Sequence, residues 1–343
     1  MASQMPYKID VHSHYLPPAY QKACHEHGHS KPDGIPALPD WSPEQHLELM
    51  DKLNIRKSVL SISSPGTHLV ADDDELAAKV TRECNTYAAD LKKKMPDRFG
   101  YFASLPIPNV GLCLQEIAQS AEEGCDGYAF LTNGHGHYLG DRVFDPIFDE
   151  LNRRHALIFI HPTTPICPCS PEAQAQGQQP TKAVPFAGKY PNPMLEFFFD
   201  TARVVANLFM SGTIKRCPNL RIILPHLGGA FPPLLLRFTG FSTLVPGPWE
   251  ATPEEETREA FEKQIWFDLA GFPFPSQIKG LTALGVTHSR IMYGSDFPFT
   301  KPPGVEMLLG KMDEGVKGMF SEEEIEDLYH RNAEKLLSKP VKR

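Results

Sequence analysis

Short apolar runs alternate along the chain with longer amphipathic segments, and this alternation predicts the order of the secondary structure. The apolar runs are rich in β-branched and aromatic residues, which is typical of buried parallel strands. They predict eight strands, at residues 8–14, 57–63, 99–105, 127–131, 157–161, 221–226, 265–270 and 290–294.

The segments between these strands repeat their apolar positions with the period of an α-helix. They predict helices at residues 43–53, 73–94, 111–123, 143–154, 194–215, 232–239, 253–263, 275–284, 304–312 and 321–337. Ser321 followed by Glu324 has the spacing of a capping box, which supports a helix start at that point.

Strands that alternate with helices indicate an α/β fold, and eight of them is the number found in a (β/α)8 TIM barrel. A doubly wound open sheet is the alternative, but such sheets usually have fewer strands. The glycine fingerprint that follows the first strand of dinucleotide-binding sheets is also missing here. We therefore expect a single TIM-barrel domain over residues 1–343.

Two connections are too long for simple loops, namely residues 15–42 after strand one and residues 162–193 after strand five. Both are rich in proline, and both leave the C-terminal ends of their strands, where barrels build active sites. We interpret them as lid insertions over a pocket rather than as separate domains.

The composition narrows the class of protein. A net charge of −8 without a basic block argues against a nucleic-acid partner. No apolar run approaches the roughly 20 residues of a membrane span, so we expect no membrane partner. The first eight residues are polar and the seven cysteines are scattered, so we expect free thiols and a cytosolic location.

Candidate chemistry collects at the ends of the predicted strands. His12 and His14 close strand one, and their spacing places both imidazoles on the same side of the strand. His161 ends strand five, His226 ends strand six, and Asp296 follows strand eight. A lone buried histidine usually has a packing role, but five polar residues on one rim of a barrel need another reason.

Three imidazoles and one carboxylate, with a position left open for water, suit a catalytic Zn²⁺ or a related divalent ion. We assign His12, His14, His161 and Asp296 as the metal ligands. His226 is then either a fifth ligand or the acid–base catalyst, because imidazole transfers protons near neutral pH. The donor types do not distinguish Zn²⁺ from Mn²⁺.

The order of these residues resembles that of the amidohydrolase superfamily, with His-x-His after strand one, histidines after strands five and six, and aspartate after strand eight. Binuclear members carry a metal-bridging lysine at the end of strand four. The corresponding stretch here is Phe130-Leu131-Thr132-Asn133, which has no lysine. The resemblance therefore implies one divalent metal ion rather than two.

A narrower resemblance, from about Lys8 to about Leu336, is to the aminocarboxymuconate-semialdehyde decarboxylase family. The family contains non-oxidative decarboxylases of muconate semialdehydes and of hydroxybenzoates, and within it the chain is most similar to the fungal 6-methylsalicylate decarboxylases. The resemblance rests on Ser64-Pro65-Gly66, Cys84-Asn85, Pro96-Asp97-Arg98-Phe99, Leu105-Pro106, Cys217-Pro218-Asn219-Leu220, residues 225–232 and Gly294-Ser295-Asp296-Phe297-Pro298.

The family resemblance implies roles for further residues. His226 would be the catalytic histidine, with Asp296 as the other candidate proton donor. Arg237 matches an arginine that binds a substrate carboxylate in a neighbouring subunit of the family prototype, which implies a homodimer or a larger assembly. Its alternative is a solvated helix residue. Residues 31–41 lack the arginines of that prototype, which favours a substrate with one carboxylate.

The resulting hypothesis is a metal-dependent decarboxylase of an ortho-hydroxylated aromatic acid, with 6-methylsalicylate as substrate and 3-methylphenol (m-cresol) and CO₂ as products. The alternatives are another hydroxybenzoate, aminocarboxymuconate semialdehyde, or hydrolysis of a lactone at the same metal site. Aromatic side chains near loop ends are candidates to contact a planar substrate. They are Trp41, Phe186, Phe272, Phe274 and Phe297.

Overall fold

The computed structural model describes residues 5–168, 176–178, 180–339 and 341–342. Eight parallel strands form one sheet in which each strand pairs with the next one along the chain. This order, with helices between the strands, confirms the predicted (β/α)8 barrel. We number the strands β1 to β8: Lys8–His14, Ile55–Ser61, Phe99–Ser104, Gly127–Leu131, Leu157–His161, Arg221–Leu224, Ile265–Asp268 and Ile291–Met292.

The ring closes where the segment after β8 returns to β1. The amide of Val11 donates to the carbonyl of Tyr293 (3.1 Å), and the amide of His14 donates to the carbonyl of Phe297 (2.7 Å). In the opposite direction, the amide of Asp296 donates to the carbonyl of His12 (2.8 Å). These bonds fix the loop that carries Asp296 beside the end of β1.

The interior of the barrel is filled with apolar side chains. They are arranged in layers, and each layer comes from every second strand. Ala333 and Leu336 of the C-terminal helix pack against the same cluster. The Phe159 ring lies 5.0 Å from the His12 ring, so the apolar core ends directly beneath the histidines. The strand residues of this cluster are Ile9, Val11, Val59, Phe102, Ala129, Leu157, Phe159, Ile223 and Met292.

The helices follow the predicted order, with corrections at their ends. The helix predicted at 194–215 is two helices, Glu196–Met210 and Thr213–Arg216, because Gly212 takes a left-handed φ of 79° between them. The predicted capping box of Ser321 and Glu324 is confirmed. Over the described residues, the α-helices are Pro18–Glu26, Pro43–Lys52, Asp74–Lys94, Val110–Glu122, Asp145–Arg153, Glu196–Met210, Thr213–Arg216, Phe231–Leu244, Glu254–Lys263, Ser276–Thr282, Pro302–Lys317, Glu322–Glu326 and Asn332–Leu337, with a π-helical turn at Asp327–Arg331.

Strands β6 and β8 end earlier than predicted, and this changes the setting of two candidate residues. β6 stops at Leu224, and His226 lies in a short 3₁₀ turn with a left-handed φ of 51°. β8 stops at Met292, and Asp296 has a φ of 58° in the following loop. Both side chains are therefore presented by loops above the barrel rather than by the strands themselves. The predicted second strand is also shifted, to Ile55–Ser61.

The two long connections contain secondary structure of their own. Residues 15–42 include the helix Pro18–Glu26 and a 3₁₀ turn at Pro32–Gly34. Residues 162–193 include a small hairpin of Ile166–Cys167 with Thr181–Lys182. Residues 169–175 and 179 of this predicted insertion lie outside the described residues. Among the described helices, none is both long enough and apolar enough to cross a membrane.

Candidate active site

Three histidines and one aspartate meet at the C-terminal end of the barrel. They are His12 and His14 from β1, His161 from the end of β5, and Asp296 from the loop after β8. One donor atom from each lies within 4.8 Å of every other, which makes this group a possible metal site. The sequence analysis selected the same four residues. Within the described part of the chain, no second group of metal-binding side chains converges in this way.

The second nitrogen of each imidazole is held from outside the cluster. Nδ1 of His12 lies 2.9 Å from Oδ2 of Asp268, and Nδ1 of His161 lies 2.7 Å from the carbonyl of Pro162. Nδ1 of His14 lies 3.2 Å from the carbonyl of Ser61. Acceptors at Nδ1 orient the rings so that each Nε2 faces the other donor atoms, which is how metal-binding histidines are usually supported.

The inward-facing atoms fit a divalent cation. Nε2 of His12 and Nε2 of His14 are buried and have no hydrogen-bond partner among the described residues. Oδ1 of Asp296 lies 3.6 Å from the first and 3.2 Å from the second. Buried nitrogen atoms without a partner are costly, and a bound cation would satisfy them. Three imidazoles with one carboxylate match the donor set of a Zn²⁺ or similar site.

The local charges also favour a cation. Burial opposes a charged imidazole, but the carboxylates of Asp268, Asp296 and Asp10 raise the pKa of His12 to about 9. Burial and the two neighbouring histidines hold the pKa of His161 well below its usual value. Burial opposes the charge on Asp296, yet His14 and His12 lower the pKa of its carboxyl. An ionised carboxylate among imidazoles is the state that binds a divalent ion.

His226 lies beside the cluster rather than inside it. Its ring is 5.0 Å from that of His12 and stacks on Phe198 at 5.6 Å. Burial, and then the charge of His12, lower the pKa of His226 to about 4. The imidazole is therefore neutral at pH 7, and it can accept a proton from a group in the cavity.

A cavity of about 820 Å³ opens over these residues. Its wall includes His161, His226 and Asp296, and most of the remaining surface is apolar. A concave apolar site with a few polar groups at one end is typical of small-molecule binding. The aromatic residues of the wall are Phe197, Phe198, Phe272, Phe297 and Phe299.

The predicted substrate-contacting residues divide into two groups. Phe297 and Phe272 line the cavity, whereas Trp41, Phe186 and Phe274 are not among its lining residues. Trp41 is buried, because its indole packs on Tyr15 and Tyr87 and donates to Nδ1 of His46 (3.1 Å).

Phe274 packs against Gly315. Phe186 pairs with Tyr190 on the surface. The structure thus gives Trp41, Phe186 and Phe274 packing positions rather than places in the cavity wall.

Arg237 is also outside the cavity of its own chain. It lies on the exposed face of the helix Phe231–Leu244, with its guanidinium 4.7 Å from the ring of Phe241. Within one chain its position is that of a solvated helix residue.

Sequence reasoning missed Asp268, Asp33 and Phe198. Asp268 ends β7 and accepts from His12, but the strand was predicted to run on to residue 270, so Asp268 did not stand at a predicted strand end. Asp33 has a φ of 54° and lies in the cavity wall, where the Thr164 hydroxyl donates to it. Nothing in the local sequence around Asp33 or Phe198 distinguishes them from other loop residues.

A comparison with protein-family models matches residues 9–339 to the amidohydrolase model Amidohydro_2. The chain belongs to the amidohydrolase family. Among curated proteins it is 34% identical over 320 residues to the decarboxylase macB of Penicillium terrestre, covering 90% of this chain and 88% of that protein. It is 33% identical over 296 residues to the 6-methylsalicylic acid decarboxylase acuB of Aspergillus aculeatus, covering 85% and 84%. Like these relatives, this amidohydrolase is a carboxy-lyase.

Solved structures show the same fold. A crystal structure described as an amidohydrolase II has a TM-score of 0.83 at 29% identity, covering 96% of this chain and 99% of the other. A 5-carboxyvanillate decarboxylase from Novosphingobium aromaticivorans has a TM-score of 0.76 at 21% identity, covering 97% and 96%. The latter was crystallised with manganese and a nitrobenzoic acid. This amidohydrolase therefore shares its fold with both proteins.

Proposed function

We propose that this amidohydrolase removes the carboxylate of an ortho-hydroxylated aromatic acid as CO₂, with 6-methylsalicylate as the substrate and 3-methylphenol as the product. One observation carries the proposal: an aromatic-walled cavity opens onto a His₃Asp cluster and an adjacent neutral histidine. The named activity of the Aspergillus aculeatus relative supports the choice of substrate.

The charged residues of the cavity favour a substrate with a single carboxylate. The lysines in the wall are Lys52 and Lys301, and Lys52 is engaged by Glu306 at 2.6 Å. A second substrate carboxylate would meet a predominantly negative wall, which costs electrostatic energy. This argues against a dicarboxylic muconate semialdehyde. The carboxylates of the wall are Asp33, Asp40, Glu48, Asp296 and Glu306.

The reaction needs a proton delivered to the ring. Direct loss of CO₂ would leave an aryl anion that nothing stabilises. Protonation of the ring carbon that bears the carboxylate, with electrons supplied by the ortho phenolate, avoids this anion. The C–C bond electrons then return to the ring, CO₂ leaves and aromaticity is restored. One proton is consumed for each carboxylate anion that is converted.

His226 and Asp296 are the two groups placed to supply that proton, since both side chains line the cavity. Each is deprotonated at neutral pH in the structure, because the pKa of His226 is about 4 and that of Asp296 is lowered. A nearby anionic substrate favours the protonated form of either group. We therefore propose that His226 or Asp296 takes up a proton when the substrate binds and then transfers it to the ring carbon.

We propose that His12, His14, His161 and Asp296 hold one divalent metal ion, Zn²⁺, with Mn²⁺ as the alternative. When bound, such an ion would supply positive charge that orients and stabilises the anionic substrate. Thr132 directly follows β4, in the stretch where binuclear members of the superfamily have a lysine, and its hydroxyl donates to the buried Asp200. This supports a single ion.

The two insertions, residues 15–42 and 162–193, are proposed to act as lids. Asp33 from the first and Pro193 from the second line the cavity. The insertions also meet each other, because the hydroxyl of Thr164 in the second donates to Asp33 in the first. The same hydroxyl accepts from the side-chain amide (Nδ2) of Asn192 at 2.7 Å. Closing them would exclude water from the reacting ring.

We also propose that the protein is a homodimer or a larger assembly. The helix Phe231–Leu244 exposes Leu236 (58%), Phe241 (54%) and Leu244 (82%), and the neighbouring helix exposes Phe199 (43%). Contiguous exposed apolar side chains are typical of protein interfaces. Arg237 lies on the same face, from which it could reach a second copy of the chain. A cytosolic location is proposed as well, since the described cysteines are unpaired.

A substrate panel tests the proposal. Purified protein would be supplied with 6-methylsalicylate, salicylate, 4-hydroxybenzoate and an aromatic lactone, with CO₂ release and ring products measured together. We expect CO₂ and 3-methylphenol in equal amounts from 6-methylsalicylate, and no turnover of 4-hydroxybenzoate, which lacks the ortho hydroxyl. Lactone opening without CO₂ release from any acid would show a hydrolase instead.

A further inference from the structure

Asp268 is the last residue of β7, and its fully buried side chain accepts three hydrogen bonds. Oδ2 faces Nδ1 of His12 at 2.9 Å. Oδ1 accepts from the amides of His226 (3.0 Å) and Ala270 (3.1 Å). One carboxylate therefore contacts both a proposed metal ligand and the proposed catalytic histidine.

The bond to His12 selects which imidazole nitrogen carries the proton. Main-chain amides can only donate, so Oδ1 of Asp268 is committed as an acceptor and Oδ2 is left for His12. In the neutral imidazole, which is the form that binds a metal ion, a carboxylate oxygen that accepts at Nδ1 keeps the proton on Nδ1 and leaves the lone pair on Nε2. Nε2 is the atom that faces Asp296 and has no hydrogen-bond partner among the described residues.

The bonds to Oδ1 hold an unusual stretch of backbone. His226 and Leu227 are successive non-glycine residues with left-handed φ values of 51° and 53°. Such conformations persist only where the surroundings fix them. The amide of His226 is fixed by Asp268, and its carbonyl accepts from Nε2 of Gln277 (3.3 Å). This backbone directs the imidazole of His226 into the cavity.

Asp268 differs from the groups that support the other two histidines. Nδ1 of His161 faces the main-chain carbonyl of Pro162, and Nδ1 of His14 faces both the carbonyl (3.2 Å) and the hydroxyl (3.1 Å) of Ser61, so a main-chain acceptor remains at each after any side-chain substitution. His12 is the proposed ligand whose Nδ1 faces a side-chain carboxylate. Its tautomer can therefore be reversed by a single isosteric substitution.

We propose that Asp268 is a positioning residue that sets His12 as the Nδ1–H tautomer for metal binding and, through its second oxygen, places His226 beside the metal. The inference rests on the proposed metal site. Neither role requires Asp268 to touch the substrate, and Asp268 is absent from the cavity wall.

Asp268→Asn keeps the shape of the side chain but replaces one hydrogen-bond acceptor with a donor. The amide oxygen would keep the bonds from His226 and Ala270, because those amides need an acceptor. The Nδ2 group would then face His12 and donate to Nδ1. The proton of His12 would move to Nε2, which could no longer bind a cation.

The experiment compares metal binding by the full-length variants. Each protein would be stripped with a chelator and titrated with Zn²⁺ against a competing indicator, and its fold would be checked by circular dichroism. We expect Asp268→Asn to bind Zn²⁺ about 10- to 100-fold more weakly, the usual effect of losing such a supporting group. Zn²⁺ affinity equal to that of the wild type would overturn the inference.

Two control variants test whether weaker Zn²⁺ binding results from the changed tautomer of His12 or from the loss of a buried negative charge. Asp10→Asn removes a carboxylate that also raises the pKa of His12 and that, among the described residues, accepts from the His12 amide and Ser295. Because burial raises the pKa of Asp10 itself to about 7, all titrations are run above pH 7, where this carboxyl is charged. Glu116→Gln removes a buried carboxylate far from the cluster, which accepts from Arg82, Asn85 and Ser120. We expect both to keep Zn²⁺ affinity. An Asp10→Asn loss as large as that of Asp268→Asn would assign the effect to charge and overturn the tautomer role.

Two further measurements distinguish failure of this inference from failure of the proposed metal site and from misfolding of the variant. His12→Ala should abolish Zn²⁺ binding. If it does not, the proposed site itself is wrong, whereas a loss in His12→Ala without one in Asp268→Asn refutes only the role of Asp268. If Asp268→Asn does not fold, ¹⁵N imidazole shifts of the wild-type Zn²⁺ protein decide. A protonated Nδ1 on His12 supports the inference, and an unprotonated one contradicts it.

Discussion

Oδ1 of Asp296 lies 3.2 Å from Nε2 of His14, although the two residues come from opposite ends of the chain. Their proximity results from barrel closure, since main-chain bonds tie the loop after β8 to β1. The two donor atoms are close enough to bind one ion together. Nε2 of His14 makes no hydrogen bond to any described residue. This relationship makes metal content the most direct measurement on the protein.

We predict one divalent ion per chain. Elemental analysis of purified protein should give one equivalent of Zn²⁺ or Mn²⁺, and chelation should abolish turnover until either ion is restored. Bound metal at 100 times its Kd should also stabilise the fold by about 2.7 kcal/mol, which a thermal scan detects. His14→Ala should lose the ion. Two equivalents in the wild type would contradict a mononuclear centre.

We predict that His226→Ala keeps the fold and the metal but lowers kcat by about 10²- to 10⁴-fold, the usual contribution of a general acid–base group. The reason is that the imidazole lines the cavity and is held beside His12 without being one of the four clustered donors. His135→Ala removes a histidine outside this cavity and should leave CO₂ release unchanged. Turnover near the wild-type value in His226→Ala would exclude this residue from the mechanism and leave Asp296.

We predict that the exposed face of the helix Phe231–Leu244 is buried between subunits. Light scattering coupled to size exclusion should give at least twice the chain mass of 38.3 kDa. Leu236→Glu should shift the protein towards the monomer, because a charge would be buried at the interface. Val143→Glu, a substitution of another half-exposed apolar residue, should not shift the mass. A wild-type protein that is monomeric at micromolar concentration would refute the prediction.

We predict that His46 makes the protein less stable in mild acid. Burial, and then the charge of His14, lower its pKa from 6.5 to about 3. Between these values the unfolded chain binds a proton that the folded chain does not, so stability falls as pH drops below about 6.5. At pH 5 the loss amounts to about 2 kcal/mol.

Urea unfolding at pH 7 and pH 5 checks this prediction. The amide oxygen of His46→Gln can still accept from the indole of Trp41, but the side chain does not titrate. The variant should lose less stability between the two pH values than the wild type loses. An equal loss in both proteins would show that His46 does not carry the pH dependence.

Much of the site could be predicted because its residues stand at strand ends. His12, His14 and His161 close strands whose bounds the hydrophobic pattern gives correctly, and parallel strands bring their C-terminal ends to one rim. Asp268 obeys the same rule but was missed, because the predicted strand extended to residue 270 and placed Asp268 inside the strand rather than at its end. Asp268 is important because it lies 2.9 Å from His12, a residue that is far from it in the sequence.

The sequence by itself determined the barrel and the donor set, because strand periodicity and residue type are local properties. Tertiary structure alone decided which aromatic residues face the cavity. Phe297 and Trp41 look alike as loop aromatics, yet Phe297 lines the cavity and Trp41 is buried against His46. It also decided that Asp33 reaches the cavity and that Asp268 supports His12 and His226. These outcomes depend on how distant loops pack on one another, and that packing has no period in the sequence.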